Sequence, residues 1–226
     1  VRVLVDNTPP RQVGTRAFGR SVPGVEGRVV DDAGREQPDG TPGEFVIRHS
    51  EATPRRDFFS GYLDDPQATE DAWRGGWFHT GDVVVRDPGG MFHFVDRRKN
   101  IIRRSGENIA AAEVEALLQS HPLVAQVAVL AVPDEVREEE VLACVVLKAP
   151  AAGDPARQQA ARTLFEHCHA GLAYYKAPGF VWITESIPTT GTHKVQKHAI
   201  FPKGVDPRGA PGMIDLRHLK KRGPPG

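Results

Sequence analysis

The feature that most constrains this chain is a change in its apolar pattern near Asp96. Before that point apolar residues alternate in short runs broken by tight-turn signals. Beyond it they recur at helical spacing between longer apolar strands. Gly27-Arg-Val-Val30 and Gly43-Glu-Phe-Val-Ile-Arg48 are separated by Asp31-Asp-Ala-Gly34 and Pro38-Asp-Gly40, which reads as antiparallel β. Asp65-Pro66 opens a short helix running to Trp73, because Asp can cap it and Pro suits a first turn. Val83 to Arg86 and Met91 to Val95 flank Asp87-Pro-Gly-Gly90, a hairpin signature. The first third therefore predicts a small twisted sheet or partial barrel.

After Asp96, the stretch from Ala110 to Gln119 places Val114, Leu117 and Leu118 on one helical face, and His121-Pro122 ends it. Strands follow at Val124 to Val132 and Val141 to Leu147. Asp154-Pro155 then opens a helix whose apolar positions include Leu164, Phe165, Cys168 and Leu172, and a strand spans about Phe180 to Ile183. The class predicted is α+β, with two units meeting near Asp96. From Gly204 onward the chain is basic and rich in Gly and Pro, and a flexible tail is expected.

Charge and cysteines narrow the function classes. Twenty-nine basic residues balance 29 acidic ones, so the phosphate-neutralising surplus of a nucleic-acid binder is absent. No apolar run approaches the roughly 18 residues that suggest a membrane span. The apolar start, Val1 to Val5, is too short for a signal peptide. Cys144 and Cys168 lie in apolar-periodic segments without metal-ligand spacing, which reads as buried thiols in a reducing cytoplasm, and no metal site is expected.

Three segments carry chemistry. Gly76-Trp-Phe-His-Thr-Gly-Asp82 puts a carboxylate on a Gly turn, where it can meet a sugar diol; taken alone it reads more readily as an ordinary turn. Val95-Asp-Arg-Arg-Lys-Asn-Ile-Ile-Arg-Arg-Ser-Gly-Glu-Asn-Ile109 clusters Arg97, Arg98, Lys99, Arg103 and Arg104, a set that suits a polyanion or a solvated basic face. Ile101 and Ile102 make the run partly strand, and Ser105-Gly106 ahead of a helix predicts N–H groups that favour an anion. Ile187-Pro-Thr-Thr-Gly-Thr-His-Lys-Val-Gln-Lys197 is a small-residue loop that delivers one lysine into a neighbouring site, or a hairpin with exposed lysines.

In this order the three segments resemble the adenylate-forming (AMP-binding) superfamily of acyl-CoA synthetases, aryl-CoA ligases and luciferases. Gly61-Tyr-Leu63, Ala68-Thr69, Tyr175-Lys-Ala-Pro178 and Gly19-Arg-Ser-Val-Pro-Gly-Val25 extend the resemblance over nearly all of residues 14 to 203. Arg-Arg-Ser-Gly-Glu-Asn-Ile is similar to the carnitine/crotonobetaine-CoA-ligase-like and fatty-acyl branches. The resemblance implies residues 1–95 as the last β subdomain of a large AMP-binding domain, 96–203 as the small α/β lid, and 204–226 as tail.

Such enzymes make an acyl-adenylate from a carboxylate and ATP with Mg2+, then pass the acyl group to CoA. By motif match Asp82, Arg97 and Thr80 would bind ATP/AMP, Asp82 at the ribose hydroxyls and Arg97 at ribose or phosphate. Lys194 would be the adenylation lysine. Asp96 and Lys99 would form the hinge, and Arg103, Ser105, Gly106, Glu107 and Asn108 would face CoA. Two positions depart from the pattern: His193 stands where the family usually has Gly before the lysine, and Arg103 where several relatives have Lys. Lys197 is the alternative lysine. No Ser/Thr/Gly-rich phosphate loop ending in Lys and no Tyr-Gly-x-Thr-Glu segment occurs in the sequence. The isolated chain is therefore expected to be inactive. It reads as part of a ligase whose platform lies elsewhere, including in a separate chain, with a truncated, non-catalytic product or a trans-acting lid that binds CoA or a partner chain as the alternative.

Overall fold

In the computed structural model, residues 4–6 and 11–220 are described. The chain divides into two compact units, residues 1–99 and 100–226.

The first unit is one antiparallel sheet plus a short helix. Its strands are β1 (Leu4–Val5), β2 (Ala17–Ser21), β3 (Glu26–Val30), β4 (Gly43–Arg48), β5 (Phe78–Arg86) and β6 (Phe92–Arg97), in spatial order β1-β2-β6-β5-β4-β3. Their inward residues Val29, Phe45, Ile47, Val84 and Phe92 form the core. The Phe45 and Phe92 rings stand 4.7 Å apart, within the favourable range for tilted aromatic pairs. Helix α1 (Pro66–Ala72) starts where the Asp65 side chain accepts the Ala68 N–H at 2.9 Å. Trp73, just past its end, is buried against Phe58 and Phe78.

The second unit packs two helices on a sheet. Strands β7 (Ile101–Arg104) and β8 (Glu107–Ala110) lead into α2 (Ala111–Ser120); β9 (Val124–Asp134), β10 (Glu138–Leu147), α3 (Gly153–Gly171), β11 (Phe180–Ile183) and β12 (Met213–Asp215) follow. The spatial order is β12-β11-β10-β7-β8, with β9 also paired to β10. Pairing is antiparallel except between β10 and β11, which run parallel. Strand β10 alternates its apolar residues between two cores. Val141, Ala143 and Val145 join Val114, Leu118, Leu164, Phe165 and Cys168 from the helices. Leu142 and Cys144 join Val132, Phe180 and Ile187 on the other face. Burial on both faces explains why this strand is a nearly unbroken apolar run. Both cysteines are free, and burial pushes their thiols up to about 12.

Two expectations are corrected. Ser105-Gly106 lies ahead of α2 but does not present the free N–H groups of its N-terminus. Both residues have left-handed φ, 51° and 81°, and they close the two-residue turn between β7 and β8, so α2 begins only at Ala111. The flexible tail expected from Gly204 is instead packed through residue 220. Strand β12 pairs with β11, Leu216 is buried, and its N–H donates to the Gly179 carbonyl at 2.8 Å. Met213, Ile214, Leu216 and Leu219 supply apolar contacts that the Gly, Pro and basic residues around them mask in the composition. Residues 221–226 of that tail lie outside the described residues, as does the apolar start before Leu4.

At the head of β10 the fully buried Glu140 binds two cations. Arg104 Nε lies 2.9 Å from Oε2, Lys220 Nζ lies 2.5 Å from Oε1, and the Val141 N–H donates to Oε1 at 2.8 Å. Burial pulls the Lys220 ammonium down to about 8, with Glu140 opposing. Gly179 makes room for this carboxyl group: a Cβ there would sit 2.5 Å from Glu140 Cγ and Cδ. Gly179→Ala is expected to lower stability by about 1–3 kcal/mol through overpacking, because three donors prevent Glu140 from swinging aside. Denaturant unfolding should register a lower midpoint at unchanged slope.

Candidate functional site

In the first unit the Thr80-Gly81-Asp82 segment is a bulge within β5. Val46 pairs with His79 and Glu44 with Val83, so β4 advances two residues (46 − 44) while β5 advances four (83 − 79). A bulge of this kind re-aims side chains. Gly81 takes φ 70°, which glycine adopts without penalty. Thr80 staples the turn: its Oγ1 donates to the Phe45 carbonyl at 2.8 Å and accepts the Asp82 N–H at 3.1 Å.

Asp82 pairs across the sheet with Arg97, whose Nε stands 2.9 Å from Oδ1. That buried oxygen accepts no well-aligned hydrogen bond, so the contact is an ion pair with a lone pair left over. Burial raises the Asp82 carboxyl above the ordinary Asp value, with Arg97 opposing. Arg97 is exposed and also reaches the Thr80 carbonyl through Nη1 at 3.4 Å. Asp96 is buried, and its Oδ1 accepts the Arg97 N–H at 2.7 Å. Lys99 is exposed in the single turn Arg98–Asn100 and is the last residue of the first unit.

In the second unit Arg103, Ser105, Gly106, Glu107 and Asn108 are all exposed on the β7–β8 hairpin. The Arg103 N–H donates to Glu139 Oε2 at 2.7 Å and the Ser105 N–H to the Arg137 carbonyl at 3.0 Å. Lys194 is exposed on a tight loop closed by the Thr189–Val195 bridge. Inside the loop the Thr190 N–H donates to the Lys194 carbonyl at 2.8 Å, and Thr190 Oγ1 accepts the Lys194 N–H at 3.1 Å. His193 holds φ 61°, a conformation that favours the glycine expected at this position.

The expected basic cluster is only partly exposed to solvent. Arg98 is drawn to Glu44 at 2.5 Å and Asp32 at 2.7 Å, and Arg104 is buried against Glu140. Lys197, the alternative lysine, stands 2.8 Å from Glu115 in a largely buried ion pair. Glu115 also accepts the Val129 N–H at 2.8 Å, so it ties the lysine loop to α2 and β9. Sequence reasoning missed three supporting acids, Glu44, Glu115 and Glu140. Glu44 gathers Arg74 and His79 as well as Arg98. Only Glu44 gave a hint, an acid directly before the apolar run of β4; Glu115 lies on helix α2 and Glu140 ends a run of three glutamates. Among the described residues no group of three His, Cys, Asp or Glu side chains converges to hold a metal.

The Asp82 carboxyl is expected to titrate above an ordinary Asp in a carboxyl 13C NMR experiment, and Arg97→Met should raise its midpoint further. Because the folded midpoint is raised, ionisation works against folding. This group's contribution to stability should fall as pH rises through the unfolded value toward the folded one.

Comparison with known proteins places these features in a family. The AMP-binding enzyme C-terminal domain matches residues 113–194. Crotonobetaine/carnitine–CoA ligase of Proteus mirabilis is 33% identical over 195 residues, 86% of this chain and 36% of that protein. A probable CoA ligase of Humulus lupulus, CCL9, is 36% identical over 200 residues, 88% of this chain and 36% of that protein. The ATP-bound structure of MatB from Rhodopseudomonas palustris superposes with a TM-score of 0.65 at 30% identity, covering 81% of this chain and 34% of that one. The chain thus spans little more than a third of the length of the relatives it matches. It belongs to the adenylate-forming, AMP-binding enzymes and carries their C-terminal domain.

Proposed function

We propose that residues 1–226 are the C-terminal part of an ATP-dependent acyl-CoA ligase, with 96–203 acting as its lid. The observation that carries this reading is the arrangement of the second unit. The two faces of β10 support two exposed turns of different chemistry, the Lys194 loop beside Ile187 and Val195 on one core and the Arg103–Asn108 hairpin beside Ile102 and Ile109 on the other. Each suits one half-reaction.

In the first half-reaction a carboxylate oxygen attacks the α-phosphorus of ATP, and the bond to pyrophosphate breaks. Negative charge builds on the phosphoryl oxygens and the leaving group. Lys194 carries a cation to that charge, and a single well-placed donor of this kind is worth about 10²–10³ in rate. Asp82 accepts hydrogen bonds from the ribose hydroxyls, which its acceptor-only carboxylate suits. Arg97 keeps Asp82 ionised and reaches the ribose or phosphate. Thr80 holds the turn in place.

The second half-reaction passes the acyl group from AMP to the CoA thiol, with AMP as leaving group. The hairpin then faces the site in place of Lys194. Gly106 adds no side chain beside the pantetheine arm, and Arg103 offers its cation to CoA phosphates. Asp96 and Lys99 form the hinge between the two arrangements, Lys99 absorbing most of the backbone change. Mg2+ and the adenine and phosphate contacts are assigned to a platform outside these residues, in the same polypeptide or in another chain. Buried, unpaired thiols at Cys144 and Cys168 support a reducing cytoplasmic setting.

Purified residues 1–226 should give no carboxylate-dependent pyrophosphate–ATP exchange. With a platform domain supplied, Lys194→Ala should slow adenylation by about 10²-fold or more while sparing thioester formation from added acyl-adenylate. Exchange by the isolated chain, or equal loss in both half-reactions, would contradict this reading.

A further inference from the structure

The Glu140 cluster lies outside the chemistry assigned so far, yet it links two distant parts of the second unit. One is the β7–β8 hairpin. Its turn residues are exposed and bury little of their own, so its direction depends on what holds its stem. That hold comes from the head of β10. Arg104 pairs with Glu138 in the ladder, the Arg103 N–H donates to Glu139, and the Arg104 guanidinium reaches Glu140.

The other part is the segment after residue 203, beyond the family match at 113–194. It is fastened along its length. β12 extends the sheet, Arg217 pairs with Asp134 at 2.9 Å and lies 4.7 Å from the Phe180 ring centre, and Lys220 ends the path on Glu140 at 2.5 Å. The Lys220 and Glu140 side chains are fully buried, and Gly179 leaves the space they need. Burial lowers the Lys220 pKa despite its partner, and the charges of Arg104 and Arg137 push it the same way. Buried ion pairs of this kind serve geometry better than stability.

We propose that Lys220 and Glu140 are positioning residues that set the direction of the 103–108 turn through Arg104. Lys220 holds Oε1 while Arg104 holds Oε2, so the carboxylate is fixed in one plane and presents a fixed acceptor to the guanidinium one residue before the turn. Without Lys220, Oε1 keeps only the Val141 N–H, the carboxylate is held less tightly, and Arg104 follows it. The functional consequence rests on the thiol-side reading of this turn given above.

Hydrogen exchange on the full chain, read by mass spectrometry, tests the clasp directly. Lys220→Met should speed exchange of the β7 and β8 amides by roughly tenfold while leaving the core amides of α2 and α3 unchanged. Lys220→Arg, which keeps the cation, should restore protection. Glu140→Gln, which keeps the volume, should behave like Lys220→Met and serves in its place if that variant does not fold. No change at the hairpin, or equal acceleration across the whole second unit, would overturn the proposal. With a platform domain supplied, Lys220→Met should raise KM for CoA several-fold at unchanged adenylation rate. If the exchange pattern appears but KM for CoA stays put, the clasp stands and the thiol-side reading of the turn falls.

Discussion

Burial of β10 on both faces is the constraint on which the second unit depends. A strand with one wet face needs a single layer against it, but Leu142 and Cys144 point away from Val141, Ala143 and Val145, and all five are fully buried. Helices α2 and α3 cover one side. The other side is covered by parts of β9 and β11, the Ile187 and Ile200–Phe201 segments and Met213 of β12. The lysine loop and the last strand are thus drawn into the packing by the need to cover an apolar surface. They emerge from that layer as exposed turns with anchored ends.

Carboxylates, Glu44 and Glu140 buried and Glu115 partly so, do the finer placing. Glu44, Glu115 and Glu140 each receive at least one cation from another element, and Glu115 and Glu140 also accept a backbone N–H. A carboxylate taken out of water is costly unless its lone pairs are met, so the surrounding donors are held to narrow positions. At Glu140, whose Arg104 and Lys220 partners are buried as well, losing the carboxylate leaves both cations buried and unpaired, which costs about 3–5 kcal/mol. These acids therefore act less as glue than as fixed points, beside the Thr-Gly-Asp turn, the lysine loop and the β7–β8 hairpin respectively.

Much of the fold was readable because periodicity reports burial. The run from Val141 to Leu147 and the spacing of Leu164, Phe165 and Cys168 placed β10 and α3 to within a few residues. Asp82 and Arg97, read separately from two motifs, meet as a cross-strand pair at 2.9 Å. What escaped depends on backbone dihedrals and distant partners. Ser105-Gly106 resembles a helix entry until both residues are found at positive φ. Arg104 reads as one more surface arginine until Glu140, 36 residues away, claims it. The segment after Gly204 has the composition of a loose end, and four apolar side chains are enough to dock it. No local pattern records a partner that arrives from elsewhere in the chain.

The fastening of Arg98 has a further consequence. Its two nitrogens are held by Glu44 and Asp32, Asp96 is sunk into the first unit, and the next residue, Lys99, is exposed. A chain clamped so firmly up to one residue cannot spread a reorientation over many torsions. Whatever turning the following segment performs is concentrated in very few bonds, like a swivel bolted on one side. Removing either acid that grips Arg98 would loosen that bolt and let any such turning spread back into β6.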